Sequence, residues 1–141
     1  MSDGTSPDVA QLVAAAQDAR ARAVCPYSNF RVGAALLDRA GRVWTGANVE
    51  NASYNLGLCA ERVALYHALT HGGRQFRAIA IATDTREPTY PCGACRQALI
   101  EFCRDADVIL VTRAGVAATT TVAELVPHAF DGTALRDTGE P

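Results

Sequence analysis

Three cysteines, Cys59, Cys92 and Cys95, and one acid, Glu61, stand in a pattern suited to hydrolysis at a metal ion. Cys92-Gly93-Ala94-Cys95 offers two thiolates on a single turn, and Cys59 adds a third from a distant segment. Three protein ligands leave one tetrahedral position free, which is the layout of a catalytic zinc site; a structural site normally closes with a fourth side chain. A water in the free position becomes acidic near neutral pH. Glu61, next but one to Cys59, is placed to manage that water's protons. Alone, Cys-x-x-Cys is a weak signal shared with redox motifs and zinc ribbons. Joined to Cys-x-Glu at the start of a helical run, it becomes specific.

The elements that must position these side chains follow from apolar spacing. A helix is expected from Asp8 to about Ala23, with Val9, Leu12, Val13 and Ala16 as its apolar stripe and Pro26 ending it. Phe30–Leu37 and Arg42–Ala47 read as strands joined by a hairpin turn at Asp38-Arg39-Ala40-Gly41. After a polar loop over Asn48–Leu58, helical spacing runs from Leu58 to about His71. Val63, Ala64, Tyr66, Ala68 and Leu69 are available for packing there, and Gly72-Gly73 ends the run. Ala78–Thr83 is a continuous apolar run, as in a strand covered on both faces. Beyond the Asp84–Tyr90 loop, a helix is expected over Gly93–Arg104 with Ala98, Leu99 and Phe102 inward. A strand over Val108–Thr112 follows, and Thr119–Leu125 reads as a last strand or short helix. This order predicts an α/β fold: three layers, α/β/α, around a mixed, mostly five-stranded sheet, antiparallel at the hairpin and parallel after it.

The helical reading carries a chemical consequence. Cys59 opens one helix and Cys92 with Cys95 opens another, so all three sulfurs face unpaired N–H groups at positive helix ends. Such ends favour thiolates. Three thiolates around Zn²⁺ still leave one net negative charge. Arg62 and Arg96, adjacent to the ligand clusters, are expected to donate hydrogen bonds to sulfur and withdraw charge.

Composition sets the outer limits. A chain of 141 residues, 49% hydrophobic and 20% charged, is expected to form one domain spanning 1–141 with flexible ends at about 1–7 and 132–141. A net charge of -2 argues against nucleic acid as the main partner and favours a small, nearly neutral ligand. With no apolar run of membrane-spanning length and no export-signal pattern, a cytoplasmic protein without a membrane partner is expected. Cys25 and Cys103 read as reduced, buried thiols. His67 and His71 have metal-ligand spacing on a helix, but no Glu follows His67, so they read as a solvated face near a helix C-terminus.

Five blocks in order carry a resemblance that covers Val24 to Phe130. They are Cys25-Pro26-Tyr27-Ser28-Asn29-Phe30, Val32-Gly33-Ala34-Ala35-Leu36-Leu37, Asn48-Val49-Glu50-Asn51-Ala52-Ser53-Tyr54, Cys59-Ala60-Glu61-Arg62 and Pro91-Cys92-Gly93-Ala94-Cys95-Arg96-Gln97. Together they resemble the small homotetrameric cytidine deaminases, whose zinc pattern is a known one. The resemblance implies one Zn²⁺ per subunit on Cys59, Cys92 and Cys95, with Glu61 as proton shuttle. It further implies ribose contacts from Asn48 and Glu50, packing of Phe30 against the pyrimidine, and a substrate contact at Ala60. Tyr54 and Phe130 match positions at which neighbouring subunits complete each other's pockets. The implied reaction is hydrolytic deamination of cytidine and 2′-deoxycytidine to uridine and 2′-deoxyuridine, with release of ammonia, in pyrimidine salvage. A deaminase of a cytosine-containing antibiotic such as blasticidin S shares the zinc motifs, but the Asn48–Tyr54 block disfavours it. A thiol–disulfide redox site at Cys92 and Cys95 leaves Cys59 and Glu61 unexplained. A scaffold keeping zinc for folding leaves Glu61 without a task.

Overall fold

Alternation along the central strands sets the layering. In β3 (Ala78–Ala82) the two isoleucines, Ile79 and Ile81, enter one core, while Ala78, Ala80 and Ala82 enter another on the opposite face. β1 (Gly33–Leu37) does the same, sending Ala34 and Leu36 one way and Ala35 and Leu37 the other. In β4 (Asp107–Thr112) the division is Val108 and Leu110 against Ile109 and Val111. A sheet apolar on both faces must be covered twice. In this computed structural model, which describes residues 7–137, α1 (Pro7–Arg20) covers the alanine-rich face, and α2 (Ala60–Thr70) and α3 (Gly93–Phe102) cover the other.

Small side chains on the first face let α1 approach closely. Leu12, Ala16 and Ala19 are fully buried there, and a Cβ on Gly33 would lie 2.1 Å from the Ala16 carbonyl oxygen, so no larger residue fits. The helix ends at Arg20, short of Ala23; beyond it Ala21, Arg22 and Ala23 donate to Asp18, Ala19 and Arg20 in tightening turns. On the second face the buried residues of α2 and α3 include Leu65 and Ile100, whereas Tyr66 and Phe102 point outward.

With β2 (Val43–Ala47) and β5 (Gly115–Thr121) the sheet has the order β2-β1-β3-β4-β5. The expected parallel arrangement after the hairpin holds for β3 with β4; β1 pairs antiparallel with β3, and β5 pairs antiparallel with β4. Since β1 runs opposite to both of its neighbours, β2 and β3 run in the same direction. Ala47 and Ala82 both pair with Gly33, so the two strands end at the same edge. The chain leaves that edge twice, once toward α2 and once toward α3. The N-termini of both helices are therefore brought together by topology.

The Thr119–Leu125 segment divides into the end of β5 and a short helix, α4 (Val122–Leu125), with the Thr121 hydroxyl accepting from the Glu124 N–H. Of the ends expected to be flexible, residues 1–6 and 138–141 lie outside the described residues, and Gly132–Arg136 forms a short helix, α5. Cys25 and Cys103 are buried free thiols. His67 and His71 meet edge to face beside Trp44 at the end of α2. No helix among the described residues is long and apolar enough to cross a membrane.

Candidate active site

The position of α2 is set by a glycine. A Cβ on Gly46 of β2 would stand 2.4 Å from the Ala64 nitrogen and 2.7 Å from the Ala60 oxygen, so the helix lies directly on the strand backbone. Cys59 is the residue that caps α2, and Cys92 caps α3, with Cys95 in the first turn of the same helix. Neither cap uses its side chain for a capping hydrogen bond, which leaves both sulfurs free to meet.

The three sulfurs lie within 4.8 Å of one another. The Cys59 and Cys92 sulfurs are 3.7 Å apart, close to the edge of about 3.8 Å that two sulfurs make on a tetrahedron with bonds of about 2.3 Å. The donor set and its spacing fit zinc. The Cys59 thiol is drawn below its ordinary value, because it accepts a hydrogen bond from Cys95 and another from Arg62 that outweigh burial. Cys95 shifts the opposite way, held as a thiol by donating to Cys59 and by burial.

Arg62 does what its place in the sequence suggests. Its Nη2 donates to Cys59 Sγ at 3.4 Å, and that sulfur holds the guanidinium protonated more firmly than usual. Arg62 Nε is a buried donor without a partner, the one such side-chain atom among the described residues. Arg96 corrects the expectation: its Nε donates to the Pro91 oxygen at 2.8 Å and its Nη1 to the Leu125 oxygen at 3.3 Å. Being one position past Cys95, it leaves the helix about 100° round from the sulfur. Its side chain ties α4 to the start of α3 and donates to carbonyl oxygens, not to a cysteine sulfur.

Glu61 is 5% exposed, although it sits in the first turn of α2. Burial, reinforced by the negative charge on Cys59, pushes its carboxyl up to about 7, near the value suited to proton transfer at neutral pH. It lines a cavity of about 180 Å³ together with Phe30, Val32, Asn48, Ala60, Cys59 and Cys92. A larger cavity of about 380 Å³ holds Glu50, Tyr54 and Arg62, and both cavities share Asn48 and Cys59. Phe130 lines neither. It is 59% exposed, with its carbonyl oxygen accepting from Gln97 Nε2 at 2.8 Å.

Ile81, Thr83, Thr89 and Tyr90 also line the smaller cavity and were not marked by the sequence reading. Thr83 carried a signal all the same: it is the first polar residue after the apolar run of β3, and so falls at the edge where the helices meet.

Residues 7–112 match the family described as the cytidine and deoxycytidylate deaminase zinc-binding region. The chain belongs to this deaminase family. Among its deaminase relatives, the cytidine deaminase of Sporosarcina psychrophila is 47% identical over 124 residues, covering 87% of this chain and 91% of that protein. That of Halalkalibacterium halodurans is 48% identical over 131 residues, covering 92% and 99%. The crystal structure of cytidine deaminase from Burkholderia pseudomallei superposes with a TM-score of 0.83 at 48% identity, over 86% of this chain and 98% of that one. The α/β sheet and its helices are thus the deaminase fold, and the three cysteines lie at a deaminase's zinc-binding region.

Proposed function

We propose that this family enzyme hydrolyses the exocyclic C–N bond of cytidine and 2′-deoxycytidine, giving uridine or 2′-deoxyuridine and ammonia, as a step of pyrimidine salvage. The observation that carries the reading is Glu61, a buried carboxyl lining the same small cavity as the Cys59 and Cys92 sulfurs. Zinc held by Cys59, Cys92 and Cys95, one ion per subunit, supplies the Lewis acidity that makes a hydrolytic water nucleophilic near neutral pH. Glu61 accepts the proton of that water and delivers it to N3 of the base, which makes C4 electrophilic. Once the C–O bond has formed at C4, Glu61 takes the remaining proton from that oxygen and passes it to the amine nitrogen, so that ammonia leaves as the C–N bond breaks and the C4 carbonyl forms. Burial of Glu61 suits both acts, since a carboxyl whose pKa is brought to about 7 can take and give a proton at neutral pH.

The remaining residues have parts in holding substrate. Phe30 and Ala60 line the cavity assigned to the base. Asn48, at the junction of the two cavities, and Glu50, in the larger one, take the ribose, an amide offering donor and acceptor and a carboxylate accepting from hydroxyls. Tyr54, which lines the larger cavity, is 87% exposed, and Leu56, in the same short 3₁₀ turn, is 66% exposed, a large apolar exposure that suits coverage by a neighbouring subunit. We assign the protein a homotetramer with shared sites, in which Tyr54 and Phe130 reach neighbours. A cytoplasmic setting accords with a centre that needs reduced sulfur. The test is the fall in cytosine absorbance when protein and cytidine are mixed, run with and without a strong zinc chelator. Loss of the signal in the chelated sample alone supports the reading; a signal indifferent to chelation, or none at all with zinc bound, contradicts it.

A further inference from the structure

The two residues assigned to the sugar are not free side chains. Asn48 Oδ1 accepts from the Val32 N–H at 2.8 Å, and its Nδ2 donates to the Phe30 oxygen at 2.8 Å. Glu50 Oε1 accepts from the N–H groups of Tyr27 and Ser28, at 3.0 and 3.1 Å, and its Oε2 accepts from the Ser28 hydroxyl. Ser28 Oγ in turn accepts from the Phe30 N–H at 3.0 Å. The backbone repeats the lacing: Val24 N–H donates to Asn48 O, and Glu50 N–H to Val24 O. The segment carrying Phe30 is therefore fastened to the segment carrying Asn48 and Glu50.

Counting donors and acceptors shows what this leaves. A carboxylate has about four lone-pair directions and an amide two donors and two acceptor sites. Glu50 keeps one direction open, and Asn48 keeps one N–H and one lone pair. Ser28 keeps no proton to give, because its single O–H is committed to Glu50 while Phe30 N–H occupies an acceptor site. We propose that Ser28 is a positioning residue for the nucleoside: its hydroxyl fixes the free lone pair of Glu50 and the backbone of Phe30 at one spacing, coupling sugar recognition to the wall of the base cavity. Asn29 between them adopts φ +58, a left-handed conformation that turns the chain back so that Ser28 and Phe30 can share the hydroxyl. The same hydroxyl is the largest cause holding the Glu50 carboxyl below its ordinary range, ahead of the Tyr27 N–H.

The proposal rests on the deamination reading, and the test keeps the two apart. Steady-state kcat and KM are measured for the wild type, Ser28→Ala and Ser28→Thr, with cytidine and with 2′,3′-dideoxycytidine, and thermal melting follows each variant. In Ser28→Ala the Tyr27 and Ser28 N–H groups still reach Glu50, so the loop stays folded. The expected result is a rise of roughly tenfold in KM for cytidine, with kcat little changed, a clearly smaller rise for the dideoxynucleoside, and recovery in Ser28→Thr. Equal losses on the two nucleosides, an unchanged KM, or a threonine variant no better than alanine would overturn the role of Ser28. A wild type inert toward cytidine would instead remove the deamination reading itself.

Discussion

Glu61 sets two physical preferences against each other. A first-turn acid gains from the helix dipole and normally stays hydrated, yet this one is almost wholly enclosed. Enclosing a carboxylate without a strong partner costs several kcal/mol, and the group responds by holding its proton more tightly. That conflict is what a proton shuttle needs. Glu61→Gln keeps the shape and removes the proton exchange, so ammonia release from cytidine is expected to fall by about 10²–10⁴-fold while bound zinc stays as in the wild type and the melting temperature does not fall. Turnover within a few-fold of wild type would show that another group moves the proton. At this scale the sequence was most readable where spacing constrains chemistry: three cysteines and an acid left little choice. It was least readable for Arg96, because a long guanidinium selects among several carbonyl oxygens that folding alone brings near. Ser28 escaped for a related reason, since an exposed hydroxyl in a turn has no sequence mark that distinguishes a solvated group from a bridging one.

Within the β1–β2 hairpin one residue places a helix and another holds the turn. Gly46 permits α2 to rest on β2, and with it Cys59 to reach the α3 cysteines. Gly46→Ala forces backbone apart, so a loss of about 1–3 kcal/mol in folding stability is expected, along with weaker zinc binding in a chelator competition. An unchanged zinc affinity would mean that α2 tolerates displacement. Asp38, fully buried at the turn, accepts from the Arg42 N–H, Arg42 Nε and Trp44 Nε1 at 2.9–3.0 Å. Burial raises its pKa, but the hydrogen bonds from Trp44 and Arg42 together outweigh it, and the carboxyl is held below the ordinary range. A carboxyl lowered in the folded state stabilises fully above its unfolded pKa of about 3.9, and that contribution fades as pH drops through the folded value. Asp38→Asn is expected to cost about 2 kcal/mol at pH 7, with the gap to wild type shrinking in urea melts at pH 3. A gap equal at both pH values would contradict the assignment. The turn at Asp38–Gly41 was legible from residue types; the buried carboxylate beneath it was not, because Trp44 and Arg42 become its donors through strand pairing.

Across the molecule, the continuous apolar run of Ala78–Thr83 announced a strand covered on both faces, and the strand–helix order announced three layers. Strand direction was harder to read. A short apolar strand looks alike in either direction, so the antiparallel β1–β3 pair emerged from the sheet and not from residue types. β5 was also faint, since an edge strand of small residues and threonines, exposed or half-buried, carries little apolar signal. What that topology accomplishes is the meeting of two helix N-termini at the shared edge of β2 and β3, with a metal centre of three sulfurs as its product. X-ray absorption at the zinc edge of the purified protein measures that product most directly. The expected spectrum is three sulfur neighbours at about 2.3 Å and one oxygen or nitrogen neighbour; four sulfurs, or fewer than three, would contradict an open site built by Cys59, Cys92 and Cys95.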